Sequence, residues 1–266
     1  MVSASATTSS DALARRFAAL RAEGRRALVC YATAGHPDPE RSLALLRGLE
    51  GAGADVIEVG VPFSDPLADG PIIQASSQHA LAHGMTFDRV LELIARARLS
   101  VPVVLFTYLN PLLAAGPEAL ARAAGAGAHG VLVTDLPVGS DPAREEWIGA
   151  GPLAFVRLVA PTTPPARMAE IARHGGGFVY LISRLGVTGV RDDVPAELPR
   201  TVAALRGATT LPICVGFGIS RPEQAAAVGR VADGVAVGSA IVRAAEESVD
   251  AALELARALR RGLDGA

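Results

Sequence analysis

A glutamate stands in the middle of an apolar, alternating run in the stretch DVIEVGVPFSDPLADGPIIQ, which spans Asp55 to Gln74. Two aspartates, Asp65 and Asp69, follow it among prolines and a glycine. In a strand, alternate residues share a face, so Val56, Glu58 and Gly60 point one way and Asp55, Ile57 and Val59 the other. Either face of a strand this apolar is shielded from bulk water. Burial of an unpaired carboxylate is costly, and the group responds by raising its pKa toward neutrality. A carboxyl that titrates near working pH is what general acid–base catalysis requires. A structural glutamate, paired with an arginine or held by backbone amides, explains the same residue, since ion pairs also perturb carboxyls. Asp69, in an Asp-Gly pair, and Asp65, between Ser64 and Pro66, each also fit a turn or cap.

Three late glycine segments could hold an anion: SRLGVTG (183–189), VGFGIS (215–220) and AVGSAIV (236–242). Each follows or closes an apolar run and places glycine where a backbone must approach something closely. The second continues into a helix that Ser220 could cap, with Glu223 three residues on. The third opens a helix directly. Backbone amides at a helix start bind anions without a lysine. LGVTG and the charged, proline-containing stretch after it are longer than a minimal loop, and segment 184–192 could close over a substrate. Arg184 lies at its start. Tyr31, Tyr108 and Tyr180 sit in or at the end of apolar runs, where they could line an aromatic pocket or fill the core.

Other chemistries find little support. The histidines, His36, His79, His83, His129 and His174, show no metal-ligand spacing, although His79 and His83 fit one helix face. There is no Gly-x-Ser-x-Gly elbow and no Ser-His-Asp order. Cys30 and Cys214 lie in apolar runs and read as reduced core thiols. Lone Trp147 reads as helix packing.

The elements that must position these groups recur with regularity. Eight short apolar runs, at 27–33, 55–61, 102–108, 130–135, 154–160, 178–183, 212–218 and 234–240, alternate with Ala-, Leu- and Arg-rich stretches of helical spacing. Near-continuous apolar strands alternating with helices indicate a parallel sheet covered on both faces. Eight such units in this length are the arithmetic of an α/β fold of the (β/α)8 TIM-barrel type, whose sites sit at the C-terminal ends of the strands. Phosphate sites there commonly form after strands 7 and 8. An open doubly wound sheet would want a Gly-x-Gly-x-x-Gly turn after the first strand, and TAGHPDPE supplies none. DALARRFAALRAEG, ahead of the first strand, reads as an additional N-terminal helix able to plug the barrel floor. Residues 1–10 read as a disordered tail and 11–266 as one barrel domain.

The chain has 266 residues and a formal charge of −2. This balance gives no electrostatic reason to expect nucleic acid or an anionic membrane as partner. No apolar run approaches the ~20 residues of a bilayer span. The first residues lack the features of a secretory signal. The expected setting is cytoplasmic.

Together, IEVGVPFSDPLADGPIIQ, YATAGHPDPE, FTYLNPLL, VTDLP, FVYLISRLGVTGVR, VGFGIS and VGSAIV resemble, in order and spacing, the tryptophan synthase alpha subunit family, from about residue 11 onward. The resemblance implies a lyase that splits indole-3-glycerol phosphate into indole and glyceraldehyde 3-phosphate. It implies Glu58 and Asp69 as catalytic residues, and an aromatic pocket at Tyr31, Tyr108 and Tyr180. It places phosphate contacts around Gly189, Gly216, Gly218, Gly238 and Ser239, and the mobile-loop threonine at Thr188, beside Arg184. It further implies no cofactor in this chain, and indole passed to a pyridoxal-phosphate beta subunit in an alpha2beta2 assembly touched by Asp65 and Pro66. Two positions depart from the pattern: His36 stands where some members carry aspartate, and Tyr31 where phenylalanine is frequent. A free-standing lyase that releases indole, and a non-catalytic activator of a beta subunit, are the alternatives. Retention of both Glu58 and Asp69 speaks against the second. The DPLADG loop speaks against a sugar-phosphate isomerase.

Overall fold

The computed structural model describes residues 11–182, 196–216 and 218–265. Arg184, Thr188, Gly189, the 184–192 segment and the 1–10 tail lie outside the described residues.

Eight strands close a barrel in chain order: β1 (Ala27–Thr33), β2 (Val56–Gly60), β3 (Val103–Thr107), β4 (Gly130–Val133), β5 (Ala154–Val159), β6 (Val179–Ile182), β7 (Ile213–Gly216) and β8 (Gly234–Val237). Every neighbouring pair is parallel, and β1 pairs with β8 to complete the ring. Each strand falls inside one of the eight apolar runs. The helices are α1 (Asp11–Ala22), α2 (Pro39–Gly51), α3 (Pro71–Ala82), α4 (Phe87–Ala97), α5 (Leu109–Ala115), α6 (Ala119–Ala126), α7 (Pro142–Gly149), α8 (Pro165–Arg173), α9 (Leu198–Ala208), α10 (Pro222–Gly229), α11 (Ser239–Glu247) and α12 (Val249–Asp264). Proline in the first turn, where its missing N–H costs nothing, starts α2, α3, α7, α8 and α10. Asp38, Thr86, Asp141 and Ser248 cap their helices by accepting an amide from the first turn.

Strand parity sorts the apolar side chains into two cores. Outward residues such as Ile57, Val59, Leu105 and Val235 pack against the helices. Inward residues Val29, Val56, Val104, Leu132, Val156 and Ala236 fill the barrel. The floor is closed by α1, whose Leu13, Phe17 and Leu20 join the inner core. The Phe17 ring lies 5.6 Å from that of Phe178, just ahead of β6. The helix before the first strand is therefore the plug that its position suggests. Trp147, on α7, packs against the outer core.

Sequence parity gave no role to Asp55, and the structure supplies one. Asp55 is 1% exposed. Its Oδ2 accepts from the Leu28 amide (2.8 Å) and from Arg260 Nη1 (2.9 Å), and its Oδ1 pairs with Arg16. Arg260 also donates to the Arg26 carbonyl (2.9 Å) and pairs with Asp264 (2.7 Å). One carboxylate thus ties α1, the start of β1 and α12 together beneath the barrel. A buried charge is tolerable when it is paired and its remaining lone pairs are bonded, as they are here.

Candidate active site

Glu58 sits in the middle of β2 on the barrel's inner face, in register with Tyr31 of β1 and Val104 of β3. It is 1% exposed. Its Oε1 is buried without a hydrogen-bond partner, and no cation pairs with it among the described residues. Burial alone pushes its carboxyl up to about 8. Asp55, three residues earlier, is equally buried and is fixed by two arginines. The two carboxyls divide into one that holds the fold and one that nothing in the fold requires.

The loop from Val61 to Gly70 carries the other acids. The Asp69 amide donates to the Pro66 carbonyl (3.0 Å), and Gln74 of α3 donates from its side chain to the Asp69 carbonyl (2.9 Å). The Asp69 carboxylate turns inward and is buried. The Tyr108 hydroxyl donates to its Oδ2 (3.1 Å) and itself accepts the Ala68 amide (2.9 Å). Burial pushes Asp69 up to about 6, while the Tyr108 bond opposes the rise. The two carboxyls are therefore raised to different extents, Glu58 further than Asp69. Asp65 is exposed and Pro66 is half-buried on the outer rim of this loop, with Leu67 89% exposed beside them.

The three tyrosines converge on the two acids. Burial raises the phenols of Tyr31 and Tyr180 well above their ordinary range, and the nearby Asp69 and Glu58 carboxyls add to the rise. The Tyr31 ring meets Phe106 edge-on at 5.3 Å, and Phe63 lies 5.1 Å from the Tyr108 ring. Two glycines make room for this wall. A Cβ on Gly60 would lie 2.0 Å from the Tyr31 hydroxyl, and one on Gly216 would lie 2.1 Å from the Tyr180 hydroxyl. Gly216, expected as a phosphate contact, thus has a second reason to lack a side chain. Phe63 and Phe106 were not singled out by sequence reasoning, and a lone phenylalanine in an apolar run carries no signal that it faces a site.

At the same end of the barrel, Gly216 closes β7, Gly218 adopts a φ of +81°, Gly238 precedes α11 and Ser239 is its first residue. The start of α10 differs from the expectation. Its N-cap is Arg221, not Ser220, and the reaching side chain is Gln224, not Glu223. Gln224 Oε1 accepts from the amides of Ser220 (2.9 Å) and Arg221 (3.1 Å). Pro222 fixes the first helical position one residue later than the Ser-x-x-Glu spacing suggests.

The histidines also come closer than their spacing implied. His36 and His79 meet edge to face at 5.3 Å, and His79 and His83 lie 4.2 Å apart. They do not form a metal set: no group of three or more candidate ligands is placed to hold an ion among the described residues. No described helix is long and apolar enough to cross a membrane.

A buried, unpaired carboxyl, a second carboxyl held by Tyr108, an aromatic wall and a glycine ahead of a helix start now share one barrel mouth. That set suits proton transfer to and from an aromatic substrate that carries a phosphate. The comparisons with known proteins agree. The family model described as tryptophan synthase alpha chain matches residues 17–262. The tryptophan synthase alpha chain of Gluconacetobacter diazotrophicus is 51% identical over 243 residues, covering 90% of this chain and 89% of that one. That of Laribacter hongkongensis is 48% identical over 252 residues, covering 93% and 96%. Among solved structures, tryptophan synthase from Mycobacterium tuberculosis superposes with a TM-score of 0.87 at 36% identity, covering 94% of this chain and 97% of that one. The subunit alpha of tryptophan synthase from Legionella pneumophila gives 0.87 at 33% identity, covering 98% and 100%. This chain belongs to the tryptophan synthase alpha chain family.

Proposed function

We propose that Glu58 and Asp69 are the acid–base pair with which this chain cleaves indole-3-glycerol phosphate to indole and glyceraldehyde 3-phosphate. The observation that carries the assignment is the unpaired, buried carboxyl of Glu58, which shares Tyr31 and Tyr180 as neighbours with an Asp69 held by Tyr108. Glu58, protonated at rest, delivers its proton to the indole carbon that bears the glycerol chain. The resulting cation draws on the ring nitrogen, and the Asp69 carboxylate stabilises the charge developing at its N–H. Glu58, now ionised, takes the proton of the adjacent glycerol hydroxyl as the carbon–carbon bond breaks. The bonding pair returns to the ring, the hydroxyl carbon becomes the aldehyde, and Glu58 ends with the proton it began with. Two carboxyls in different environments thus take different duties.

The remaining assignments follow the same reading. Tyr31, Tyr108 and Tyr180 line the indole pocket, and Gly216, Gly218, Gly238 and Ser239 hold the phosphate with backbone amides. Asp65 and Pro66, on the rim of the Asp69 loop, meet a beta subunit in an alpha2beta2 assembly. That subunit consumes the indole and carries the pyridoxal phosphate, while this chain uses side chains alone. A cytoplasmic setting fits such a pathway enzyme.

The experiment is indole formation from indole-3-glycerol phosphate across pH 5–9, by the isolated chain and with added beta subunit. kcat/KM should be bell-shaped. The acid limb marks protonation of Asp69, so activity falls as pH drops through about 6. The basic limb marks loss of the Glu58 proton, so activity falls as pH rises through about 8. Added beta subunit should raise the rate without removing either limb. A chain that forms no indole under either condition is not this enzyme.

A further inference from the structure

Tyr31 carries a hydroxyl whose proton has no evident destination. Its Oη is buried at the mouth of the barrel, against the space where Gly60 lacks a Cβ. Thr33 Oγ1 donates to it (3.3 Å). Thr33 also lies 2.7 Å from Ser76 Oγ on α3, and either hydroxyl of that pair can donate. With Thr33 committed to Tyr31, Ser76 is the donor, its single proton shared between Thr33 Oγ1 and the Ile73 carbonyl (2.9 Å). The chain Ser76 to Thr33 to Tyr31 therefore points one way, toward the site. It occupies an acceptor position of the phenol oxygen and leaves the Tyr31 proton unspent among the described residues.

Glu58 offers the complementary vacancy. It is the register partner of Tyr31, on the same inner face, and its Oε1 is buried without a donor. The resting acid tolerates this, because a neutral carboxyl is cheap to bury compared with a carboxylate. The ionised form does not. The titratable groups on the inner face of the barrel around Glu58 are Tyr31 of β1, Tyr180 of β6 and Cys214 of β7, all of them neutral, with Asp69 on the loop after β2. None of them is a cation. We infer that Tyr31 is a positioning residue for the reaction: its hydroxyl, oriented by Thr33, donates to the Glu58 carboxylate each time that group has given its proton to the substrate. Phenylalanine at this position would supply the ring and not the donor. The inference rests on the proposed role of Glu58.

The test compares the wild-type chain with Tyr31→Phe and Thr33→Val. A hydrogen bond to a charged group is worth enough that removing it should lower kcat about tenfold, with KM nearly unchanged. The basic limb of the pH profile should move up by roughly one unit, because the ionised form loses its stabiliser. Thr33→Val should move it the same way by less. The same upward shift should appear in the titration of the Glu58 carboxyl stretch by infrared difference spectroscopy, which needs no turnover. A stable Tyr31→Phe variant whose Glu58 titration matches the wild type overturns the inference. Absence of indole formation in the wild type would instead overturn the assigned reaction, and the infrared comparison would still decide the role of Tyr31.

Discussion

Glu58→Gln should reduce indole formation by about 10³-fold or more, while the affinity for indole-3-glycerol phosphate changes by no more than about threefold. General acid–base groups typically contribute about 10²–10⁴. Here one carboxyl performs both the protonation and the deprotonation, so the upper part of that range is expected. Glutamine keeps the shape and cannot pass a proton. The substitution is also structurally mild, because Glu58 has no ion pair to lose among the described residues. Replacing a buried ionisable group by a neutral amide should leave the denaturation midpoint unchanged or slightly raised. Steady-state indole release and equilibrium binding of the substrate to the variant separate the two effects. A variant that keeps most of its kcat contradicts the role; one that loses binding and turnover together makes Glu58 a binding residue.

Asp55→Ala should do the opposite. It should cost about 3–5 kcal/mol of stability, the usual consequence of leaving a buried charge without its partner. The removed carboxylate satisfies Arg16, Arg260 and the Leu28 amide at once, and Arg260 is itself buried. The elements released are α1, which plugs the floor, and α12, which runs along the outside of β1 and α2. Urea denaturation should show a lower midpoint. The molecules that remain folded should still form indole at close to the wild-type rate, since Asp55 lies at the far end of the barrel from the strand ends. A loss of activity larger than the loss of folded protein would mean that the floor and the mouth are coupled. The two substitutions, three positions apart in one strand region, thus divide catalysis from stability.

That division shows what could be read from the sequence. Alternation around Glu58 and the run of eight apolar segments are local, periodic signals, so the barrel, the burial of Glu58 and the plug were legible, while the face that Glu58 takes, barrel interior or helix layer, was left open. Asp69 was legible as a loop residue, but its inward turn depends on Tyr108, 39 residues away, and on Gln74, neither of which announces the contact. Whether a buried carboxyl is paired is decided at still longer range. Asp55 finds Arg260 across 205 residues, and no pattern near either residue predicts it. The sequence therefore left open whether Glu58 was salt-bridged, and only the three-dimensional arrangement separates it from Asp55. The cap of α10 was misplaced by one residue because Ser-x-x-Glu and Arg-Pro-Glu-Gln overlap there, and proline decided the register. The glycines at 60 and 216 are legible as glycine positions, but the tyrosine hydroxyls that exclude a side chain are visible only in the fold.

The most direct measurement is the titration of Glu58 itself. The carboxyl stretch that disappears in Glu58→Gln can be followed by infrared difference spectroscopy from pH 4 to 10. A protonated carboxyl at neutral pH, giving way to carboxylate near pH 8, is the expected result. A Glu58 already ionised at pH 5 would contradict it.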